Sequence, residues 1–537
     1  MSQRITWILL VLCLTAAPLH AVYAAAETSP LNAAAELLTA KNFKQKYQAI
    51  QLLESDGSEQ ARQILLALMD SRLYYVKLGK RLIILGQSTG NLTAVDALTQ
   101  ETVADVSKGA IKKITLNNRM RSQIRNALAM LDLRNPDSDK RLAAVNQMLD
   151  HPDAESAALI QSLLEQETNG QIREAMQIVI ALGKLSAGDK QERLAAVDTL
   201  DGNIHPAVRN GLLKLQQRTQ DQAFAAEIKQ VLDHIHSKLQ LYSLVENLFF
   251  GLSLGSVLVL AAIGLAITFG VMGVINMAHG ELIMIGAYST YVMQLLMPNH
   301  IGASLLLSVP VAFIVSGLVG IGIERGVIRF LYGRSLETLL ATFGISLILQ
   351  QTVRTIFSPL NRSVEAPGWM SGSWEINSAL SLTFNRLYII AFCLLVFAIL
   401  FLVLKKTSLG LQVRAVSQNR AMARAMGVRS EWVDAMTFGL GSGIAGVAGV
   451  ALSQLTNVGP NLGQSYIIDS FMVVVFGGVG NLWGTLVSGM GLGIANKFLE
   501  PWSGAVLAKI LVLVFIILFI QKRPRGLFPQ KGRAAEG

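Results

Sequence analysis

Charge is scarce in this sequence. Asp, Glu, Lys and Arg make up 15% of its 537 residues, against about 25% in soluble globular proteins, which argues against an ordinary soluble enzyme. Hydrophobic residues reach 52%, so there is ample apolar surface to bury and disorder is excluded as well. Cysteine is nearly absent: Cys13 and Cys393 lie in separate apolar runs, leaving no disulfide framework in the polar region and no metal-ligand spacing. No Gly-x-x-x-x-Gly-Lys-Ser/Thr loop occurs, because the pairs Gly79-Lys80 and Gly183-Lys184 lack both the loop and the hydroxyl. His-Glu-x-x-His and paired carboxylates do not stand out either, and the Gly-x-Ser-x-Gly string at Gly251-Leu252-Ser253-Leu254-Gly255 lies within a long apolar run. Catalysis therefore has no candidate residue, and nothing calls for a cofactor or a metal.

What charge there is carries an excess of +10, which taken whole would suggest a polyanion binder. Its placement says otherwise. Arg4 is the one charge of the first 26 residues, and residues 27–245 hold 26 basic against 25 acidic side chains. Residues 246–537 hold 19 basic and 11 acidic residues. The excess sits in the hydrophobic half, where it reads as a topology signal with no role for nucleic acid.

The N-terminus has the three parts of a secretory signal over 1–26. Arg4 is the positive start, residues 5–17 are apolar, and small residues run from Ala21 to Ala26. An uncleaved anchor is the alternative, and either form exports the next segment. Residues 27–243 read as successive helices, with apolar positions at helical spacing in 47–53 and 61–69. Arg141-Leu142-Ala143-Ala144-Val145 returns as Arg193-Leu194-Ala195-Ala196-Val197, each after a polar turn. That echo fits an α-solenoid similar to HEAT repeats, or a helical domain without true repeats.

From 244 to 525 long apolar runs take over, each near the ~20 residues needed to cross a bilayer. Nine spans are expected, near 248–272, 277–297, 303–323, 337–357, 386–404, 432–455, 466–482, 484–500 and 504–521. Seven with a re-entrant pair would also serve. The fold class is thus all-α: an exported helical domain, a polytopic membrane domain and a short tail, 526–537. Lys405, Lys406, Arg414, Arg420, Arg424 and Arg429 share one loop with no acidic residue. Arg325, Arg329 and Arg334 mark a second basic loop, and Lys522, Arg523, Arg525, Lys531 and Arg533 the tail. The positive-inside rule places all three in the cytoplasm and the first domain outside. Glycines crowd the first span (Gly251, Gly255, Gly264, Gly270) and the sixth (Gly439, Gly441, Gly443, Gly446, Gly449), where they permit close helix packing.

Polar residues at membrane depth are the remaining chemistry, since each is costly unless paired or water-lined. Asn276, His279, Glu281 and Asn481 are candidates for a solute path, with capping of a helix start as the other role for Glu281. Gln350, Gln351, Arg354 and Asp469 are expected as anchors near the outer ends of their spans, and Lys497 pairs with Glu500 three residues on. In the basic loop, residues 415–426 are expected as one helix ended by Gly427. This helix rests on anionic headgroups or docks into a soluble partner.

Ile275-Asn276-Met277-Ala278-His279-Gly280-Glu281, with Gly286-Ala287-Tyr288, resembles the signature of the branched-chain amino acid-type (LivH-like) permeases of ABC importers. Thr407-Ser408-Leu409-Gly410, Arg414-Ala415-Val416-Ser417-Gln418-Asn419, residues 438–446 and Gly477-Gly478-Val479-Gly480-Asn481 continue the resemblance over 245–525. Within that family, the long exported domain and Asn457-Val458-Gly459-Pro460-Asn461-Leu462-Gly463-Gln464 resemble the urea-permease branch. The resemblance implies a multi-pass inner-membrane subunit without an ATPase of its own. Its partners would be membrane lipid, a second homologous permease, two cytoplasmic ATP-binding subunits and a periplasmic substrate-binding protein. It assigns the ATPase-coupling role to Arg414, Asn419, Arg420, Ala421, Ala423, Arg424 and Gly427. Asn419 or Arg420 stands near the place of the leading glutamate usual in such loops. The solute would be urea, with branched-chain or other amino acids and amides as the alternative. A self-sufficient channel and a membrane-tethered sensor are the rivals from other classes.

Overall fold

A computed structural model describes residues 30–40, 42–86, 94–103, 110–150 and 154–528. The expected signal over 1–26, and Lys531 and Arg533 of the tail, lie outside the described residues. The chain divides into two compact units, Met1–Ile235 and His236–Gly537.

The first unit starts with helices α1 (Pro30–Leu38), α2 (Phe43–Asp56) and α3 (Glu59–Met69). Asn42 and Ser58 cap the second and third by accepting from Lys44 N–H and Ala61 N–H, which satisfies donors that have no partner inside a helix. Next comes an antiparallel sheet of five strands, β1 (Leu73–Val76), β2 (Leu82–Leu85), β3 (Ala94–Asp96), β4 (Thr102–Val103) and β5 (Ile111–Lys113), in the order β4-β3-β2-β1-β5. This sheet corrects the all-α expectation. Leu73-Tyr74-Tyr75-Val76 and Leu82-Ile83-Ile84-Leu85 are short apolar runs that favour strands, and Gly79 and Lys80 turn the chain between them at positive φ. Runs of four residues show too little of either period to separate strand from helix.

Six helices complete this unit: α4 (Asn118–Leu133), α5 (Ser138–Asp150), α6 (Ala154–Leu163), α7 (Gly170–Ala187), α8 (Lys190–Thr199) and α9 (Pro206–Arg218). Asp189 and Glu192 form a reciprocal capping box at the start of α8, and His205-Pro206 opens α9. Both copies of the repeated phrase bury the same positions, Ala144 and Val145 in α5 and Ala196 and Val197 in α8. Arg141 differs from its echo Arg193. Its guanidinium grips Glu167 in a fork at 2.9 and 3.1 Å and also donates to the Asn135 and Pro136 carbonyls.

In the second unit the helices are α10 (Gln222–Met272, within which the division between units falls), α11 (His279–Leu296), α12 (Ile301–Gly326) and α13 (Ser335–Phe357). A hairpin of β6 (Ser373–Asn377) and β7 (Leu380–Thr383) precedes α14 (Phe384–Lys406), α15 (Ser408–Gln418) and α16 (Arg420–Ala425). Then follow α17 (Ser430–Ser453), α18 (Gln464–Gly477) and α19 (Leu482–Lys522). Six of these, α10, α12, α13, α14, α17 and α19, are long and apolar enough to cross a membrane among the described residues. The nine expected segments are all helical, but they are not nine equal spans. The fourteen residues of α18 extend about 21 Å, short of the ~30 Å hydrocarbon core. The last two expected spans are arms of one run, broken where Pro501 precedes Gly504 at φ 79°.

Apolar windows of α10 and α17 are 83% and 89% buried within the protein, against 17% in α19, so α10 and α17 form the centre. Glycines let the backbones meet there: Gly264 on Gly441, Gly286 on Gly446, and Gly449 on the Ile283 carbonyl. Ser316 Oγ donates across α12–α11 to the Leu282 carbonyl at 3.1 Å. Such contacts supply association where lipid gives no hydrophobic drive.

Two outcomes follow from these contacts. Gly446→Val should destabilise the membrane unit by about 1–3 kcal/mol through overpacking, lowering its unfolding temperature in detergent. Gly322→Ala, where an added methyl meets open space, should not. In the first unit, the Arg141 guanidinium holds the Glu167 carboxyl below the usual carboxylate range. A depressed folded pKa adds stability above the unfolded value of about 4.3 and loses it as pH falls through the folded value. Hydrogen exchange of α5–α7 amides should therefore be faster in Glu167→Gln than in the native chain at pH 7. That difference should shrink as the pH falls through the lowered range of the native Glu167 carboxyl.

Candidate functional site

Residues 273–278 link α10 to α11 through a bend at Gly273, φ 67°. Asn276, His279 and Glu281 are all buried, at 0, 0 and 1% exposure. Asn276 Oδ1 accepts from Ala278 N–H at 3.0 Å and so shapes the turn into α11. His279 Nε2 lies 2.9 Å from the Ala261 carbonyl of α10. That oxygen can only accept, so Nε2 carries the proton. Glu281 points the other way, as expected of residues two apart at a helix start. Its Oε1 accepts from Ser346 Oγ at 3.0 Å and Gln350 Nε2 at 2.7 Å, both on α13. It sits in the first turn of α11 without capping it, for its partners are side chains of another helix. Asn276 Nδ2, His279 Nδ1 and Glu281 Oε2 have no hydrogen-bond partner. The segment thus presents three unsatisfied polar atoms in the interior.

The partner surface was not anticipated. Thr338, Thr342, Ser346 and Gln350 recur every four residues on α13 and are all buried. Thr342 Oγ1 accepts from Met277 N–H at 3.1 Å. Thr342, Ser346 and Gln350 of the stripe thus meet the 275–281 segment, while Thr338 Oγ1 donates to the Leu331 and Arg334 carbonyls. Four-residue spacing is the signal that could have found the stripe. Gln350 is corrected from an outer anchor to a ligand of Glu281. Arg354, one turn on, reaches Asn461 Oδ1 at 2.7 Å. Asp469 pairs with Lys509 at 3.2 Å, and Lys497 meets Glu500 as expected. Asn481 has a different duty from the other three path candidates. Its Oδ1 caps α19 by accepting from Trp483 and Gly484 N–H, while Nδ2 donates to the Phe528 carbonyl.

The basic loop folds as two helices, correcting the single helix expected over 415–426. Asn419, at φ −152° and ψ 99°, breaks the run and caps α16 through Met422 N–H. Gly427 ends it in the left-handed region at φ 86°. Arg414 donates to the Leu404 carbonyl and Arg424 Nε to Ser430 Oγ at 2.6 Å. Arg420 grips Asp434 of α17 at 2.8 and 2.9 Å, donates to Tyr332 Oη at 3.0 Å and stacks over that ring at 4.4 Å. Burial and the nearby Asp434 carboxylate push the Tyr332 phenol up. Ala423 is buried with Val413, Val416 and Val433, so it faces the protein. Ala421, Met422, Ala425 and Met426 face outward, Met422 at 60% and Met426 at 79% exposure.

These features have relatives. Residues 247–520 match the family described as branched-chain amino acid transport system / permease component. The chain belongs to this family. It is 29% identical over 301 residues to the high-affinity branched-chain amino acid transport system permease protein BraD of Pseudomonas aeruginosa, covering 54% of this chain and 96% of BraD. With LivH of Salmonella typhimurium, named for the same system, it shares 30% over 293 residues, covering 53% and 94%. The ribose import permease protein RbsC of Bacillus subtilis is 30% identical over 131 residues, 23% of this chain and 41% of RbsC. No solved structure matches. The chain is accordingly a multi-pass inner-membrane permease subunit of an ABC importer. The family implies a second permease together with ATP-binding and substrate-binding partners.

In this permease, removing Arg420 would strand Asp434, whose side chain is 2% exposed. Arg420→Met should cost about 3 kcal/mol and loosen α16. Limited trypsin digestion should then cut at Arg424 faster than in the native chain.

Proposed function

We propose that this chain imports a small polar solute into the cytoplasm, alternating access with a second permease under the action of two ATP-binding subunits. A periplasmic binding protein delivers the solute. The carrying observation is the α15–α16 loop. It presents apolar Met422, Met426 and Leu411 to solvent in a basic setting, while Arg420 and Ala423 fasten the same short helix to α17. An exposed apolar patch on a firmly anchored helix suits a protein groove better than lipid headgroups. Arg414, Asn419, Arg424 and Gly427 shape that helix, and Ala421 belongs to its outer face.

Loop charge supports a cytoplasmic side for 405–430 and the tail, and an exported side for the first unit after a signal over 1–26. The domains of this reading are 27–243 outside, 244–525 in the membrane and 526–537 in the cytoplasm. Asn276, His279 and Glu281, with the α13 stripe, line the solute path. They offer both donors and acceptors to a neutral or zwitterionic solute.

The names of BraD and LivH favour branched-chain amino acids. Urea is the second reading, favoured by the resemblance of 457–464. There, however, Asn461 holds Arg354, and Val458 exchanges two backbone hydrogen bonds with Arg362, which gives that stretch a structural duty.

Vesicles carrying this chain with its ATP-binding and binding-protein partners should accumulate labelled L-leucine only with ATP. Accumulation of urea instead would establish the second reading, and flux through this chain alone would overturn both. Met422→Asp with Met426→Asp should reduce co-purification of the ATP-binding subunit at least ~tenfold, the loss expected from a buried interface anchor, without lowering the unfolding temperature. Unchanged co-purification would remove the docking role.

A further inference from the structure

One cavity in the membrane unit belongs to neither the 276–281 segment nor the basic loop. It measures about 260 Å³ and lies between α10, α14, the end of α17, α18 and α19. Arg386, at the start of α14, lines it. Among the described residues no carboxylate pairs with Arg386, whose guanidinium instead stacks on Phe250 at 4.8 Å. Asn496 lines it too, 8% exposed, with an Oδ1 that has no hydrogen-bond partner. The other cations of the wall are already matched, Lys497 to Glu500 at 2.5 Å and Lys509 to Asp469 at 3.2 Å. Leu254, Val257 and Ala508 supply an apolar side.

An uncompensated cation beside low-dielectric helices is costly, and so is a buried acceptor left unmade. Together they ask for a ligand with one carboxylate and one N–H donor on a compact apolar body. The geometry points to this cavity as a binding site for a free aliphatic α-amino acid, with its carboxylate on Arg386 and its ammonium towards Asn496 Oδ1 and Glu500. The volume, just under the ~300 Å³ at which ordinary ligand pockets begin, limits the occupant to about that size. Urea has no anionic group to meet Arg386. Arg386 and Thr456 of its wall adjoin the loops 358–384 and 457–465, which hold one basic residue, Arg362, between them. The positive-inside rule makes that the outer face, the side from which an imported solute arrives. The assignment rests on the permease reading and names the solute class it carries.

The test is equilibrium binding of radiolabelled L-leucine to the purified full chain in lipid nanodiscs. L-leucine should bind, L-leucinamide, lacking the carboxylate, should compete at least ~tenfold more weakly, and urea should not compete. Arg386→Gln should weaken binding by about tenfold, a charge-assisted contact being worth ~1.5–3 kcal/mol, and Arg386→Lys should recover part of it. Asn496→Leu serves if Arg386→Gln fails to fold, and should weaken binding likewise. Absence of L-leucine binding, equal competition by L-leucinamide, or unchanged binding in both folded variants would overturn the site. ATP-driven uptake in the assembled importer separates the two claims. Uptake indifferent to Arg386→Gln and Asn496→Leu overturns the site and leaves the permease reading standing. Leucine binding without any ATP-driven uptake keeps the site and overturns the permease reading.

Discussion

The membrane unit depends on how closely its backbones approach α17. Inside a bilayer, neighbouring helices gain nothing from hiding apolar side chains from lipid tails, so contact must come from surface fit and from hydrogen bonds between helices. Gly441, Gly446 and Gly449 remove side chains where α10, α11 and α12 cross, bringing carbonyl oxygens against bare backbone. Ser316 adds a hydrogen bond at the same crossing. Everything with chemical character hangs on that centre. The turn bearing Asn276, His279 and Glu281 joins α10 to α11, and α13 lays its polar stripe along it.

The central helix α17 also carries the deeply buried carboxylate that the basic loop engages, Asp434. Arg420 spans from α16 to this carboxylate and to Tyr332, so the loop is tied to the central helix by charge, hydrogen bond and ring contact at once. Desolvation makes such a pair a poor source of net stability, but it resists bending. A short helix that is rigidly held yet shows two methionines to solvent is suited to receive force from a partner. Motion of α16 would pass to α17 and, through the glycine crossings, to the segment with the unsatisfied polar atoms.

Legibility varied with the kind of interaction. His279 and Glu281 were separable from sequence because two residues on a helix point about 200° apart. The pair Lys497–Glu500 was legible because three residues bring side chains to one face. Gln350 was misplaced as an anchor, since its partner Glu281 is 69 residues away and no local period announces it. Ala423 shows the same limit: the resemblance gave it a coupling role, and only the packing of Val413, Val416 and Val433 shows that it faces inward. The five-stranded sheet escaped notice because its strands are too short for periodicity to speak.

Sequence by itself determined the class of solvent, the run of membrane helices and the basic loop, because hydrophobicity and charge are sums over residues and need no coordinates. It also carried the family motifs in order. Tertiary structure decided which polar groups come together: Glu281 with the α13 stripe, Arg420 with Asp434, and Arg386 with Asn496 in the wall of one cavity. Those outcomes depend on helix rotation and on approach distances of a few ångströms. Both are set by packing at glycine crossings remote in sequence from the groups they bring together.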